Sequence, residues 1–192
     1  MRTLLGKTSM VACALVASAA HAHPIAAPGT EGNYVVASGG DIIATYEGTT
    51  AAYTDLLVLA SPSNALGTIF NNHASPVGST VDLGSFAAGT ELKFQLNVLN
   101  TGNTFFSGPA SRNPDGVAHA RVQADWKPGT TLVSFEDLYG DPEGVNGFND
   151  LSFSFTNTTG SVTAPVPEPG TYALMLAGLG MVACLSRKRK QE

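Results

Sequence analysis

The sequence predicts an all-β protein whose central part folds as an antiparallel β-sandwich. Short stretches rich in Val, Ile, Thr, Tyr and Phe recur along the chain, and each is closed by Gly, Asn, Pro or Asp. No stretch between the two ends of the chain keeps a helical period of apolar residues. About 140 residues lie between these ends, which is the size of one domain with one hydrophobic core.

The individual strands are predicted from the alternation of apolar and polar side chains. The clearest case is the segment 91–100, which has apolar side chains at every second position: Leu92, Phe94, Leu96 and Val98. Segments 117–126 and 151–156 alternate in the same way and should be half-buried strands. Further strands are predicted at 34–37, 42–46, 53–60, 68–71, 80–83 and 131–136. About nine short strands with turns between them indicate a sandwich of jelly-roll or immunoglobulin-like type.

Turn-forming residues separate these strands. Asn113-Pro114-Asp115-Gly116 has Pro and Gly at the positions that a type I turn prefers, and the segment 100–103 contains residues that tolerate positive φ. From 156 to 166 the chain consists mainly of Thr, Asn, Gly, Ser, Val and Pro, which predicts a linker. The folded domain is therefore expected over 23–155.

The strand predicted at 117–126 carries the side chains that bear most on an enzymatic function. Its alternation places Trp126 on the core face and three polar side chains on the solvent face: His119, Arg121 and Gln123. A solvent-facing His119 could contact a ligand, but it is more simply a tolerated surface residue. The sequence contains no Gly-x-Ser-x-Gly, His-Glu-x-x-His or phosphate-binding loop. We therefore expect no enzymatic activity, with a secreted polysaccharide-active enzyme as the alternative.

The two ends of the chain differ in composition from its centre. Arg2 and Lys7 precede an apolar stretch at 10–20, and Ala22 completes a small-x-small cleavage site, so 1–22 is predicted to be a signal helix that signal peptidase removes before His23. At the other end, Pro167-Glu168-Pro169 precedes an apolar run at 172–185 and a basic cluster at 187–190. That run predicts a short transmembrane helix, although it has fewer than the roughly 20 residues that cross a bilayer comfortably.

The central part is strongly acidic once the ends are set aside. Residues 23–166 contain four basic and thirteen acidic side chains, a net charge of −9. This balance argues against nucleic acid and anionic lipid as partners and suits cation binding. Cys13 and Cys184 both lie in the ends, so the exported part has no thiol or disulfide chemistry.

The densest group of polar side chains lies in the loop 135–150. It contains five carboxylates and two amides that could bind a metal ion: Glu136, Asp137, Asp141, Glu143, Asn146, Asn149 and Asp150. Oxygen ligands with flexible Gly spacing suit Ca²⁺ better than Zn²⁺, although the spacing is not that of an EF-hand. The alternative is that these residues only form turns and cap exposed backbone.

The C-terminal arrangement of Pro167, Glu168 and Pro169, apolar run and basic cluster resembles the PEP-CTERM sorting signal of Gram-negative bacteria that secrete exopolysaccharide. The resemblance implies export to the inner membrane, where the chain resides transiently, and cleavage near Pro-Glu-Pro by an exosortase. Release or attachment at the cell surface or extracellular matrix would follow. The domain organisation is then a signal peptide at 1–22, a sandwich at 23–155, a linker at 156–166 and a sorting signal at 167–192.

A second resemblance concerns the acidic loop. Phe135-Glu136-Asp137-Leu138 and Phe148-Asn149-Asp150-Leu151 are similar to motifs of an uncharacterised β-rich family of bacterial surface proteins. The resemblance implies calcium binding at Glu136, Asp137, Asn149 and Asp150. The sequence as a whole thus predicts an exported, non-catalytic surface or matrix protein, associated with exopolysaccharide or biofilm. A self-associating adhesive or surface-layer protein is a further alternative.

Overall fold

The computed structural model describes residues 22–63, 65–140 and 147–164. Within these ranges the chain is all-β and contains one short 3-10 turn at Ala110–Arg112. The strands are β1 (Tyr34–Ala37), β2 (Gly40–Gly48), β3 (Asp55–Ser61), β4 (Thr68–Asn71), β5 (Thr80–Phe86), β6 (Lys93–Val98), β7 (Asn103–Phe106), β8 (Ala120–Lys127), β9 (Thr130–Phe135), β10 (Leu151–Thr156) and β11 (Thr158–Ser161). The predicted all-β class is confirmed.

The strands form three antiparallel sheets in a sandwich-like arrangement. A five-stranded sheet has the order β5-β2-β10-β9-β8, a four-stranded sheet has the order β4-β3-β6-β7, and β1 pairs with β11. No helix in the described ranges is long and apolar enough to cross a membrane. The signal helix and the C-terminal transmembrane helix of the prediction lie outside the described residues.

Aromatic side chains from both larger sheets meet in one core. Phe94 of β6 stacks on Phe155 of β10, with ring centroids 4.4 Å apart, and lies 5.8 Å from Phe153. Phe153 also stacks on Phe135 of β9 at 5.8 Å. All four rings are fully buried. The alternation predicted for 91–100 is correct, because Leu92, Phe94, Leu96 and Val98 are all buried.

Two strands and the polar face of a third depart from the sequence prediction. Strand β7 follows directly after the predicted turn at 100–103, and β11 forms inside the segment predicted as a linker, 156–166. β7 has only four residues, Asn-Thr-Phe-Phe, and β11 consists of Thr, Gly and Ser, so both carry little intrinsic signal and form through their pairing with β6 and β1. In β10, Ser152 and Ser154 are buried as well as the three apolar residues. The segment 151–156 is thus buried on both faces.

The prediction for the segment 117–126 is also corrected. A register shift between Gln123 and Lys127, with Asp125 at φ 51°, ends the alternation. Trp126 is therefore only partly buried and lies under the ammonium group of Lys127, 3.8 Å from its ring centroid, instead of in the core. The predicted turn at 113–116 is confirmed by a hydrogen bond from the N–H of Gly116 to the carbonyl oxygen of Asn113.

Residues 26–31 explain why part of the outer face of the five-stranded sheet, near β8 and β9, is buried. The N–H of Ala26 donates to Ser134 Oγ (2.8 Å), and Ser134 in turn hydrogen-bonds Ser152 (2.9 Å). Glu31 binds Arg121, with 2.6 Å between its Oε1 and the arginine Nε. This segment covers polar side chains that the alternation alone assigns to solvent.

Candidate metal centre

Three carboxylates converge where β9 ends and β10 begins. Glu136 and Asp137 follow β9, and Asp150 precedes β10. The antiparallel register pairs Phe135 with Leu151, and this pairing brings the flanking acidic residues to the same end of the sheet. One ligand oxygen from each lies within 4.8 Å of the others. The three residues are buried: Glu136 is 1% exposed, Asp137 is 3% exposed and Asp150 is 9% exposed. The fold therefore holds three carboxylates together in a buried cluster.

Backbone N–H groups orient these carboxylates. The N–H of Asp137 donates to Asp150 Oδ2 (2.7 Å), and the N–H of Leu138 donates to Glu136 Oε1 (3.0 Å). The N–H of Asp150 is itself bound to the carbonyl oxygen of Phe135 (3.1 Å). Donors of this kind fix the direction of a carboxylate and are typical of the outer shell of metal sites.

A fourth carboxylate, Asp55 of β3 in the other sheet, lies beside the cluster and next to the side chain of Asp137. Its side chain is fully buried, and the negative charges of Asp137 and Glu136 both act on it. Asp55 was not among the predicted ligands. The sequence did contain a sign of its burial, because Asp55 alternates in step with Leu57 and Leu59, which point into the core. An acidic residue in the core-facing phase of a strand marks a buried carboxylate.

Burial and mutual repulsion raise the pKa values of this cluster. The pKa of Asp55 rises to about 8, first because burial removes its hydration and then because Asp137 and Glu136 lie nearby. The pKa of Asp150 rises to about 9 through burial and the charge of Glu136. Ionising such a group costs free energy unless a cation or a proton compensates its charge. The charge of the cluster therefore requires either protons or a cation to compensate it.

Asn149, another predicted ligand, lies farther from the centre of the cluster. Asn149 lines an open cavity of about 340 Å³ above the cluster, together with the segment 50–53 and Leu138. Its Oδ1 accepts a hydrogen bond from Thr50 Oγ1 (2.6 Å), so the amide is directed at the 49–52 loop. The other predicted ligands, Asp141, Glu143 and Asn146, lie outside the described residues.

His119 contacts the backbone of Glu136 and is buried, whereas the sequence predicted that it lies on a solvent face. It is fully buried and stacks on Phe105, with ring centroids 3.6 Å apart. Its Nε2 lies 2.7 Å from Asp115 Oδ2, and its Nδ1 lies 3.0 Å from the carbonyl oxygen of Glu136. One partner is a carboxylate oxygen and the other a backbone carbonyl oxygen, so the ring is held in place at both of its nitrogens. It thus fixes the backbone of a cluster residue.

Arg121 is likewise buried, at 4% exposure, instead of facing solvent as predicted. Its guanidinium lies over the ring of Phe148, 4.4 Å from the centroid, and binds Glu31. Phe148 directly precedes the Asn149-Asp150 pair, so this contact packs the returning end of the acidic loop against β8. His119 and Arg121 therefore both have structural partners.

The predicted processing sites lie at the edges of the described ranges. Ala22 is exposed, and His23 is half-buried against Gly48. A Cβ at Gly48 would come within 2.5 Å of the His23 Cβ, and its φ of 138° also favours glycine. The predicted start of the mature chain is thus packed on β2. The sorting motif Pro167-Glu168-Pro169 lies outside the described residues.

Comparison with known proteins identifies the C-terminal segment. Residues 165–190 match the family model of the PEP-CTERM protein-sorting motif. No curated protein and no solved structure matches the chain. The resemblance to a β-rich surface family with Phe-Glu-Asp-Leu and Phe-Asn-Asp-Leu motifs is not confirmed and stays a prediction. The chain carries a PEP-CTERM sorting motif, which supports an exported surface protein that exosortase processes.

Proposed function

We propose that the exported domain is a non-catalytic calcium-binding module of the cell surface or extracellular matrix of a Gram-negative bacterium, where it associates with exopolysaccharide. The observation that carries the calcium part is the buried cluster of Glu136, Asp137 and Asp150, whose ligand oxygens lie within 4.8 Å of one another. The sorting motif supports the location.

Calcium fits this cluster better than the common transition metals. All three side chains offer hard carboxylate oxygens, and neither His nor Cys takes part in the group. Ca²⁺ accepts six to eight oxygen ligands in flexible geometry, whereas Zn²⁺ prefers nitrogen and sulfur in a tetrahedron. Backbone carbonyls, the Asn149 region and water can complete such a shell at the open cavity above the cluster.

The calcium proposal is tested by thermal unfolding of the processed protein purified from producing cells. The protein is stripped with chelator and then titrated with Ca²⁺ and, separately, with Mg²⁺. A ligand that binds only the native state adds about 2.7 kcal/mol of stability at one hundred times its dissociation constant. For a domain of this size we expect a Tm increase of about 10 °C. Asp150→Asn should abolish the increase, and the exposed Asp41→Asn should preserve it.

Two outcomes contradict the calcium proposal. One is an unchanged Tm for the parent protein across millimolar Ca²⁺. The other is an equal increase for Asp150→Asn and the parent protein, because the ion would then bind elsewhere. A larger response to Mg²⁺ than to Ca²⁺ would contradict the assignment of the cation.

The association with exopolysaccharide is supported by the destination of the protein and is tested separately. Purified protein is sedimented with exopolysaccharide from the producing cells, in chelator and in Ca²⁺, and soluble sugars are assayed afterwards. We expect the protein to sediment with the polymer without releasing reducing ends or oxidised sugars. Sugar release would show catalytic turnover and overturn the non-catalytic part of the proposal. Protein that stays in the supernatant under both conditions would overturn the association.

A further inference from the structure

We propose that Asp55 is a fourth ligand of this cation, so that the bound ion joins the two large sheets of the sandwich. The inference rests on the calcium site proposed above and adds a residue and a mechanical role to it. Asp55 belongs to β3 of the four-stranded sheet, whereas Glu136, Asp137 and Asp150 flank β9 and β10 of the five-stranded sheet.

The first observation is an unpartnered oxygen in a fully buried side chain. Asp55 is 0% exposed, and its Oδ1 has no hydrogen-bond partner. Leaving a buried carboxylate oxygen unsatisfied is costly, and such atoms call for a specific explanation. A cation shared with the neighbouring carboxylates supplies the missing partner.

The second observation is that Asn72 holds the rest of Asp55 in a fixed orientation. Asn72 Nδ2 donates to Asp55 Oδ2 (3.1 Å) and to the carbonyl oxygen of Tyr53 (2.8 Å). Asn72 Oδ1 accepts from the N–H of Asp55 (2.9 Å), and the N–H of Asn72 donates to the carbonyl oxygen of Asp55 (3.1 Å). Tyr46 also donates to the carbonyl oxygen of Asn72 (2.7 Å). One carboxylate oxygen is therefore anchored by a buried amide while Oδ1 remains available for an ion.

The third observation is the charge that surrounds Asp55. The groups that act on it electrostatically are Asp137 and Glu136, both negative and both from the opposite sheet. Two sheets that each present ionised, buried carboxylates to the other repel at this point unless a proton or a cation compensates the charge. A divalent ion bound by carboxylates of both sheets removes this repulsion and links the sheets. Because Asp55 and Asp150 are far apart in sequence, the bridge also constrains a long segment of chain.

The inference predicts that calcium affects both sheets. Amide hydrogen exchange of the processed protein is measured in chelator and in saturating Ca²⁺. We expect the ion to slow exchange at the start of β3 and around Asn72, as well as at the ends of β9 and β10. Protection confined to the five-stranded sheet would show that Asp55 does not ligate the ion. This comparison uses the unaltered sequence, so it does not depend on whether a variant folds.

A matched pair of variants measures the contribution of Asp55 to affinity. Calcium affinity is determined by isothermal titration calorimetry for the parent protein, Asp55→Asn and the exposed Asp41→Asn. We expect Asp55→Asn to weaken binding at least tenfold and Asp41→Asn to leave it unchanged. Equal affinity for all three would overturn the role of Asp55 and leave the three-carboxylate site intact. Failure of the parent protein to bind Ca²⁺ would overturn both proposals.

Discussion

Replacing His119 by Phe should destabilise the domain by about 3 kcal/mol, because it leaves the buried carboxylate of Asp115 without the ring nitrogen bonded to it. The side chains of His119 and Asp115 are 0% and 2% exposed, and 2.7 Å separates their bonded atoms. Phe keeps a flat ring against Phe105, so the stacking contact is largely preserved and the change isolates the loss of the contacts made by the ring nitrogens. A loss of this size is a large share of the 5–15 kcal/mol that stabilises a typical domain.

Asp115 has few other means of compensating its charge. Burial raises its pKa, but the hydrogen bond from His119 and those from the N–H groups of Gly140 and Val117 outweigh this effect and hold the pKa below its usual range. The backbone donors lie 2.9 Å and 3.1 Å from the carboxylate. In the His119→Phe variant they remain, which keeps the expected loss nearer 3 than 5 kcal/mol.

The assay is urea unfolding at neutral pH and fixed Ca²⁺, arranged as a double-mutant cycle of His119→Phe, Asp115→Asn and the double variant. Since Asp115→Asn removes the charge that Phe leaves uncompensated, the double variant should cost about 2 kcal/mol less than the sum of the single variants. The dependence on urea concentration should keep its slope. A loss below about 1 kcal/mol for His119→Phe, or a coupling energy of zero, would refute this account of the pair.

Three further predictions concern the cluster, the core and the last strand. In chelator, the stability that Asp55 and Asp150 contribute as protonated groups is fully present below their unfolded pKa near 3.8 and is lost as the pH rises to about 8 and about 9. Urea unfolding between pH 6 and 9 should show this fall, and saturating Ca²⁺ should reduce it. Phe153→Ala should cost about 3–5 kcal/mol in the same assay, because three aromatic rings surround it, whereas a loss under 1 kcal/mol would contradict the packing. A chain that ends at Thr156 should be about 2–4 kcal/mol less stable to urea than one that ends at 166, where the predicted linker ends, because it lacks the β1–β11 pairing. An unchanged unfolding midpoint would mean that β11 is dispensable.

Most of the fold could be predicted because alternation records burial directly. The predicted bounds of β1 and β4 agree with the structure, and the apolar face of β6 is buried as expected. Alternation fails where the second face of a strand is covered by another part of the chain. Residues 26–31 cover the outer face near β8 and β9, and their contacts with Ser134 and Arg121 depend on tertiary structure that no local pattern encodes.

The candidate site was predictable only in part for a related reason. Glu136, Asp137 and Asp150 lie near one another in sequence and across one pair of strands, so their clustering follows from a single hairpin-like connection. Asp55 comes from a strand eighty residues or more away, in another sheet, and its proximity depends on how the sheets pack. The alternation of β3 could have indicated that Asp55 is buried, but it could not have indicated which residues surround Asp55.

The sorting motif and the acidic cluster together account for a feature that would otherwise be unfavourable. A cluster of buried carboxylates opposes folding when neither a proton nor a cation compensates its charge, because each ionised group must lose its hydration. Export moves the chain to a compartment where calcium is abundant, and extracellular calcium modules typically bind in the range of about 10⁻⁴–10⁻³ M. An affinity in that range would leave the site empty in the cytoplasm and fill it outside, so that the ion stabilises the sandwich only after the chain has reached its destination. The proposed bridge through Asp55 extends this reasoning, since the two sheets would then be fully joined only at the cell surface.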